Sequence, residues 1–275
     1  MKLHSLIFSP TGTSARIADA VITAIGNTMD RHEIEICNTT LDGARTLTFG
    51  NDDIVVIAAP VYGGRMAPIA KQRMAAVTAD STPCVLIAVY GNRAFENALN
   101  DMAEFATSLG FIPIAAGAFI GEHSYSTSSY PIAQGRPDII DLQEATELGT
   151  AISKKLLNND LSRVDTTTLH DIPSSQQSLD NFRNFVIGYQ QQQKEAPKQY
   201  LPVVDDSICT GCGECVNVCP TSAISDDCRE VDASKCIKCC ACVKSCPEGA
   251  RSLFSPFAPV LSENFNARKS PVWTL

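Results

Sequence analysis

Hydrophobic positions in the first 160 residues follow two alternating patterns. Short apolar runs, several of them apolar on both faces, predict strands that are buried under helices on both sides. These runs are LHSLIFS (3–9), HEIEIC (32–37), DIVVIAA (53–59), CVLIAVY (84–90) and FIPIAAGAFIG (111–121). Helical spacing recurs in SARIADAVITAIGN, APIAKQRMAAV, AFENALNDMAEFATSLG and DLQEATELGTAISKKLLNN. Five strands with intervening helices predict an α/β domain, residues 1–160, built on a doubly wound parallel five-stranded sheet.

The pattern changes after residue 160. Residues 161–200 are polar, glutamine-rich and closed by prolines, which predicts a linker that packs along the first domain, with a helix in SLDNFRNFVIGYQ. Residues 201–250 hold a cysteine-rich repeat, which predicts a second, small α+β domain. Residues 251–275 contain Phe254, Phe257, Phe265 and Trp273. Aromatic side chains in a short tail predict that it docks, on the first domain or at the domain interface.

Composition narrows the class of protein. Hydrophobic residues make up 44% and charged residues 19% of the 275-residue chain, which is typical of folded cores. The net charge of -8 argues against nucleic acid as a partner, because phosphate binding needs a basic surface. The longest apolar runs fall short of the roughly 18 residues of a membrane span, and the start of the chain does not resemble a signal peptide. We therefore expect no membrane partner and a cytoplasmic location, where disulfides are rare.

The twelve cysteines are unevenly distributed. Cys37 and Cys84 stand alone, and ten others lie between positions 209 and 246. CTGCGECVNVCPTSAI (209–224) and CIKCCACVKSCPEGAR (236–251) repeat the pattern C-x2-C-x2-C-x3-C-P with a period of 27 residues. In a reducing compartment such a cluster indicates metal binding rather than disulfides.

The spacing favours iron–sulfur clusters over zinc, because zinc sites use two short pairs and do not need the repeated triplet with C-x3-C-P. Three close cysteines can hold three corners of a cube, and the fourth reaches the neighbouring cluster. One [4Fe-4S] cluster is then expected on Cys209, Cys212, Cys215 and Cys246, and a second on Cys236, Cys239, Cys242 and Cys219. Cys228 and Cys240 fall outside the pattern. They are either ordinary small side chains or thiols with a redox or ligand-swap role.

Three loops follow strands of the predicted sheet, at the edge where ligands bind in this fold class. Ser9–Arg16 is rich in hydroxyls and enters a helix, as in phosphate sites at helix N-termini. It lacks a G-K-[ST] sequence and a lysine, so its uncharged donors suit a bound phosphate monoester rather than a nucleoside triphosphate. The other two loops, Ala59–Pro68 and Val89–Ala98, each place a tyrosine beside glycine, which suits a flat, stacking ligand.

These features carry two family resemblances. The repeat closely resembles bacterial two-[4Fe-4S] ferredoxins, and the three loops resemble those of flavodoxins, which bind FMN. The whole chain is similar to the flavodoxin–ferredoxin fusion proteins of anaerobic bacteria and archaea. The flavodoxin resemblance implies phosphate contacts from the first loop and ring contacts from the other two. The residues carried over are Ser9, Thr11, Gly12, Thr13, Ser14 and Ala15 for the phosphate, Tyr62, Gly63 and Gly64 for one side of the ring, and Tyr90, Gly91, Asn92 and Arg93 for the other. The usual stacking tryptophan is missing from these loops.

The implied function is a flavin and iron–sulfur oxidoreductase that relays single electrons to or from FMN and reduces a substrate there. Two alternatives stay open, a carrier between protein partners without a small-molecule substrate, and a redox sensor. No dinucleotide fingerprint is visible, so we expect a low-potential redox protein as electron donor or acceptor. The segment Gly121–Asp138 follows the fifth strand. Its His123, Tyr125, Tyr130 and Arg136 could meet a substrate, or could serve in packing and in seating the ferredoxin domain.

Overall fold

The computed structural model describes residues 2–30 and 33–275. The chain divides into two compact units. The first, here called the α/β unit, comprises Met1–Glu122, Gly135–Ile172 and Lys269–Leu275. The second, the cysteine unit, comprises His123–Gln134 and Pro173–Arg268. Among the described residues, no helix combines the length and apolar character needed to cross a lipid bilayer.

The α/β unit contains most of the regular structure. Its strands are β1 (Leu3–Ile7), β2 (Ile34–Asn38), β3 (Leu47–Phe49), β4 (Ile54–Tyr62), β5 (Arg65–Met66), β6 (Val77–Ala79), β7 (Thr82–Tyr90) and β8 (Phe111–Ile120). Its helices are α1 (Thr13–Thr28), α2 (Pro68–Met74), α3 (Ala98–Ser108) and α4 (Ile139–Leu157). The strand expected from position 32 begins at Ile34, and His32 itself lies outside the described residues.

Five of these strands form the parallel sheet that the apolar runs predict. The order is β2-β1-β4-β7-β8, and each neighbouring pair is parallel. Counting only these strands along the chain, the order is 2-1-3-4-5, the flavodoxin-like arrangement of doubly wound folds. Its switch point lies between β1 and β4, so the loops after these strands diverge and leave a crevice at their carboxyl ends.

Helices cover the sheet because its strands are apolar on both faces. On one face, α1 packs against α4 and against β1, β4 and β7, around a cluster of fully buried aliphatic side chains. Gly149 of α4 permits this packing, since a Cβ there would lie 2.4 Å from the backbone oxygen of Val21 in α1. Helix α3 packs on β7 and β8.

The remaining elements belong to the cysteine unit, apart from the last strand. They are α5 (Gln176–Glu195), β9 (Val203–Val204), α6 (Glu214–Asn217), α7 (Ala241–Lys244), β10 (Arg251–Ser252), α8 (Phe257–Asn264) and β11 (Val272–Thr274). Strands β9 and β10 pair antiparallel, so the ends of the cysteine repeat are tied together. Strand β11 returns to the α/β unit and pairs antiparallel with β8, which adds an edge strand to the parallel sheet.

The unit boundaries differ from the sequence-based ones in three places. Residues 161–172 belong to the α/β unit, whereas α5, the rest of the expected linker, belongs to the cysteine unit. The tail is also divided, with 251–268 in the cysteine unit and 269–275 in the α/β unit. The third difference is His123–Gln134, which leaves the α/β unit after β8 and packs in the cysteine unit. There Ile132 is buried with Ala258, Leu261 and Phe265, and Tyr125 and Phe182 pack on this cluster.

Candidate cofactor sites

The loop after β1 is held by one of its own hydroxyls and by one from the loop after β2. The Ser9 N–H donates to Thr40 Oγ1 over 2.7 Å, and the Ala15 N–H donates to Ser9 Oγ over 3.0 Å. Gly12 has a φ of 81° and precedes α1, and no atom lies within 4 Å of the position that a Cβ would occupy there. The loop therefore turns sharply and leaves open space in front of the first helical turn.

Ser14 gives the strongest indication that this loop binds an anion. Its side chain is 1% exposed, and its Oγ has no hydrogen-bond partner among the described residues. A buried hydroxyl without a partner is unfavourable by about 1–3 kcal/mol, so it requires an acceptor or donor that the protein does not supply. The first turn of α1 also carries no acidic residue that would repel an anion. The donor set thus fits a phosphate at a helix N-terminus.

The second loop is a tight hairpin between β4 and β5, which the sequence patterns did not reveal. Tyr62 pairs with Arg65, and the two glycines between them have φ values of 59° and 77°, as a type I′ turn requires. Gly64 has a second constraint, because a Cβ there would lie 1.9 Å from Glu96 Oε2. Asp101 of α3 anchors the hairpin by accepting the Met66 N–H over 3.0 Å. The hairpin holds Tyr62 half-buried at the end of β4.

The third loop follows β7. Tyr90 is 3% exposed, and its ring packs edge-on against Phe95 at 5.6 Å. Burial raises the pKa of the Tyr90 hydroxyl above its usual range, and the charge of Asp171 acts in the same direction. Asn92 adopts a left-handed backbone with a φ of 67°. Tyr62 therefore presents more ring surface than Tyr90 does to a flat ligand.

Two residues far along the chain hold the third loop. The Asp171 carboxylate accepts the N–H groups of Phe95 and Glu96 over 2.6 and 3.0 Å. Lys269 donates from Nζ to the Arg93 carbonyl over 2.6 Å, and burial lowers the pKa of this lysine. Sequence reasoning missed both, because neither lies in a motif and their partners are 76 and 176 positions away.

Arg136 has a structural role in the α/β unit. It is 6% exposed, and its Nε donates to Asp141 Oδ2 over 2.7 Å while its Nη1 donates to the Lys269 carbonyl over 2.9 Å. Its Nη2 also contacts Asp141 Oδ1. This buried ion pair leaves no guanidinium face for a substrate, so the packing alternative holds for Arg136.

His123, Tyr125 and Tyr130 lie in the cysteine unit. His123 Nδ1 accepts the Tyr125 N–H over 3.0 Å, and the two rings lie 5.0 Å apart. Burial, followed by the neighbouring thiol of Cys240, raises the pKa of Tyr125 to about 12. These side chains are used within a packed segment, and Tyr130, 39% exposed, is the most accessible of the three.

The cysteine unit gathers ten thiols into two groups. All twelve cysteines of the chain lie in the described ranges, and all are free. The first cysteine group lines one cavity and consists of Cys209, Cys212, Cys215 and Cys246, with Cys228 beside them. The second cysteine group lines another cavity and consists of Cys219, Cys236, Cys239 and Cys242, with Cys240 beside them. Each group thus takes three thiols from one repeat and a fourth from the other.

The repeats place their fourth thiols in the same way. The Ala223 N–H donates to Cys219 Sγ, and the Ala250 N–H, 27 positions later, donates to Cys246 Sγ, both over 3.2 Å. Two thiols of the second cysteine group are protonated at neutral pH because they are buried. Burial raises the pKa of Cys239 to about 11 and that of Cys242 to about 12. Metal binding would displace the protons, since the ligand of iron is the thiolate.

The two spare cysteines share a left-handed backbone but differ in position. Cys240 stands where the first repeat has Gly213, and both adopt left-handed conformations, with φ values of 61° and 79°. Cys228 has a φ of 65° and lies in the stretch between the repeats. Both side chains are buried, at 2% and 1% exposure. Left-handed backbone is unfavourable for a non-glycine residue, so Cys240 occupies a strained position.

The described residues contain one further group with metal-ligand chemistry, formed by His4, Glu35 and Cys37 on β1 and β2. His4 is 5% exposed, with Nδ1 lying 3.3 Å from Glu35 Oε2 and Nε2 lying 3.6 Å from Asp53 Oδ1. Both ring nitrogens thus lie close to carboxylates of the protein itself. We therefore assign this group no cofactor.

Comparison with known proteins bears on the two units differently. The sequence family described as "4Fe-4S binding domain" matches residues 202–225 and 229–252, one match for each repeat. Comparison with curated proteins gave no match.

Solved structures similar to this chain include three whose own chains are covered almost completely, while a little over half of this chain is covered. An archaeal flavodoxin is 16% identical, with 57% of this chain and 99% of that chain covered and a TM-score of 0.39. The flavodoxin of Megasphaera elsdenii is 13% identical, covering 55% and 98%, with a TM-score of 0.35. An oxidoreductase from Corynebacterium diphtheriae is 12% identical, covering 57% and 96%, with a TM-score of 0.38.

The assignment of each unit rests on this chain's own features. The strand order of the α/β unit is flavodoxin-like. The cysteine unit carries both matches to the 4Fe-4S binding domain. The chain therefore combines a flavodoxin-like α/β fold with a C-terminal 4Fe-4S ferredoxin domain, an arrangement consistent with a flavodoxin–ferredoxin fusion.

Proposed function

We propose that this protein is a flavin and iron–sulfur oxidoreductase that moves single electrons between two [4Fe-4S] clusters and an FMN. The observation that carries the proposal is the pairing of two complete four-thiol groups with an α/β unit whose first loop has the donors of a phosphate site. FMN exchanges electrons singly or in pairs and a cubane cluster exchanges them singly, so their presence in one chain suits a relay.

The clusters would be held by the first and second cysteine groups. In each group the fourth thiol comes from the opposite repeat, as the C-x3-C-P spacing favours. The amide-to-sulfur bonds at Cys219 and Cys246 would orient these thiolates and supply hydrogen bonds that adjust the cluster potentials.

The FMN would be held by the three loops of the α/β unit. Ser9, Thr11, Gly12, Thr13 and Ser14 are proposed for the phosphate, with Ser14 Oγ as the buried donor in need of a partner. The Ala15 N–H already donates to Ser9 Oγ, so Ala15 would act by fixing the loop. For the ring we propose the partly exposed Tyr62 with the turn glycines on one side, and the backbone of residues 90–93 on the other.

The first test is cofactor content. Protein purified without oxygen should contain about eight iron atoms per chain, two cubanes' worth, and one FMN. The C228A and C240A variants should keep all of the iron, because the proposed ligand sets exclude these two thiols. A preparation with zinc in place of iron, or without flavin, would contradict the cofactor assignment.

The crossed ligation has its own test. Cys240 lies beside the second cysteine group and could replace a lost ligand, so Cys219→Ala should be made in the C240A background. We expect this variant to lose the same cluster as C239A does. Its remaining electron paramagnetic resonance spectrum should therefore match that of C239A and differ from that of C212A. A spectrum matching C212A would show that Cys219 serves the first cysteine group instead.

The second candidate function is an electron carrier without a small-molecule substrate. It is favoured by the burial of Arg136 against Asp141, because this arginine belongs to the segment that could have met a substrate. The two candidates differ in flavin reoxidation after all protein partners have been removed. Turnover with a panel of small oxidants in their absence establishes the enzyme. Flavin reoxidation that occurs only after a redox protein is added back establishes the carrier.

A further inference from the structure

The two halves of the cysteine repeat differ at their last position. Ile224 and Arg251 both lie four residues after the proline of their repeat and 27 positions apart. Ile224 is buried and lines the cavity of the second cysteine group. Arg251 is buried as well, at 4% exposure, and lines the cavity of the first cysteine group. One thiol group therefore faces an aliphatic side chain, and the other faces a guanidinium.

The Arg251 guanidinium is incompletely satisfied by the protein. Its Nη2 donates to the Cys228 carbonyl over 2.6 Å. Its Nε and Nη1 are buried without hydrogen-bond partners, and no carboxylate among the described residues forms an ion pair with it. A buried charge normally requires a partner of opposite charge. The adjoining thiol group would supply one if it held a cluster, because a cubane with four thiolate ligands is an anion.

Other charges around the two groups are more exposed. Glu214 and Glu248 also line the first cavity. Arg229 lies near Cys209, but it is 37% exposed and its Nη1 is paired with Asp206 at 2.8 Å. Lys238 lies near Cys236, where burial raises the thiol pKa and this lysine opposes the rise. The charge of Arg251 also reaches Cys236 and Cys242 of the second cysteine group, but of the two cavities Arg251 lines only the first. Water screens exposed charges, so the buried Arg251 should dominate the field at the first cysteine group.

We propose that Arg251 is a positioning residue that raises the reduction potential of the cluster in the first cysteine group above that of its neighbour. Reduction adds one electron and makes the cluster one unit more negative, so a fixed positive charge and its N–H donors stabilise the reduced form. At the second cysteine group the corresponding residue, Ile224, is uncharged, and Arg251 acts there only from outside the cavity lining. The first electron to enter the pair of clusters then resides in the first cysteine group. The inference rests on the proposed function only in that both thiol groups must hold clusters.

The test is an anaerobic redox titration of the cluster-loaded full chain, followed by electron paramagnetic resonance. In the unmodified protein we expect two reduction steps. Arg251→Ile installs the residue that the first repeat carries at this position, and we expect it to shift the higher step to more negative potential by more than it shifts the lower one. Arg251→Lys keeps the positive charge and should therefore keep most of the difference in potential between the two reduction steps. Arg229→Gln, which removes an exposed charge near the same group, should change either step very little.

Iron content separates failure of this inference from failure of the proposed function. If the unmodified protein lacks two clusters, the proposed function fails. If R251I keeps the full iron content and both steps stay in place, the role of Arg251 is refuted. If R251I loses iron, the titration is repeated with Arg251→Gln, which keeps hydrogen-bond donors but removes the charge. An unshifted higher reduction step in that variant also refutes the role of Arg251.

Discussion

At the scale of single residues, Ser14 gives the phosphate assignment its most direct test. Its hydroxyl is buried and has no hydrogen-bond partner among the described residues, whereas the neighbouring Ser9 is hydrogen-bonded through both its N–H and its hydroxyl. A hydrogen bond to a charged group contributes about 1.5–3 kcal/mol, so Ser14→Ala should weaken FMN binding roughly 10- to 100-fold. Quenching of FMN fluorescence on titration measures this. Ser153→Ala, which removes a buried hydroxyl of α4 that donates to the Gly149 carbonyl, should leave the affinity unchanged. Equal affinities for S14A and the unmodified protein would exclude Ser14 from the site.

Cys240 carries a second residue-scale prediction. Its backbone has a φ of 61°, and the first repeat uses Gly213 at the same place. Cys240→Gly should therefore relieve strain of about 1–2 kcal/mol, partly offset by the loss of a buried side chain. Cys240→Ala loses the side chain and keeps the strain, so C240G should be the more stable of the two. Thermal unfolding of the cluster-loaded proteins measures the order, and the reverse order would show that the left-handed backbone carries no strain.

At the scale of elements, strand β11 ties the end of the chain to the third loop. It pairs with β8, Trp273 packs against the core on the α1 and α4 side, and Lys269 just before it contacts the Arg93 carbonyl. Removing residues 269–275 should lower the free energy of unfolding of the α/β unit by about 2–5 kcal/mol, through lost ladder bonds and packing. Urea unfolding followed by circular dichroism measures this, and an unchanged midpoint would contradict the structural role.

A single substitution separates the strand from the lysine contact. Lys269→Met keeps β11 and removes the donor to the third loop, so we expect weaker FMN binding with little loss of stability. Lys154→Met removes an exposed lysine from the same unit and is the matched control. If K269M and K154M bind FMN equally well, the contact to Arg93 does not serve the flavin site.

The sequence predicts those elements whose signal is local. Strands β4, β7 and β8 are long apolar runs, and α1 has its apolar positions at helical spacing, so each is visible within its own window. Strand β11 is only three residues long and becomes a strand because β8 offers an open edge. The β4–β5 hairpin was hidden because its second strand has two residues. In such cases tertiary pairing, and not local pattern, decides the structure.

The same distinction applies to the candidate sites. Thiol spacing predicts both four-cysteine sets, since three ligands lie on one short loop and the fourth is fixed by the proline-terminated turn. Asp171, Lys269 and Arg251 could not be found in this way. Each acts on a partner distant in sequence, and no motif lies near Asp171 or Lys269. Arg251 did carry one usable signal, its difference from Ile224 in the internal repeat.

At the scale of the whole molecule, the proposed relay requires that cofactors of two kinds share one chain. An electron that passes between them within a molecule needs no collision between proteins, so its rate is fixed by the chain rather than by concentration. If the cofactors only stored electrons in separate domains, electron transfer between them would depend on collisions, and its rate would rise with protein concentration. The net charge of -8 further slows encounters between two copies at low ionic strength, which favours the intramolecular route.

The most direct test is rapid mixing of the oxidised, fully loaded protein with a limiting one-electron reductant under anaerobic conditions. Cluster and flavin absorbance are followed at several protein concentrations. We expect the reductant to bleach the cluster absorbance first. The cluster absorbance should then recover while the flavin is reduced, and both changes should follow one rate constant that does not depend on protein concentration. A rate that rises in proportion to protein concentration, or a flavin that stays oxidised beside reduced clusters, would contradict the proposed relay.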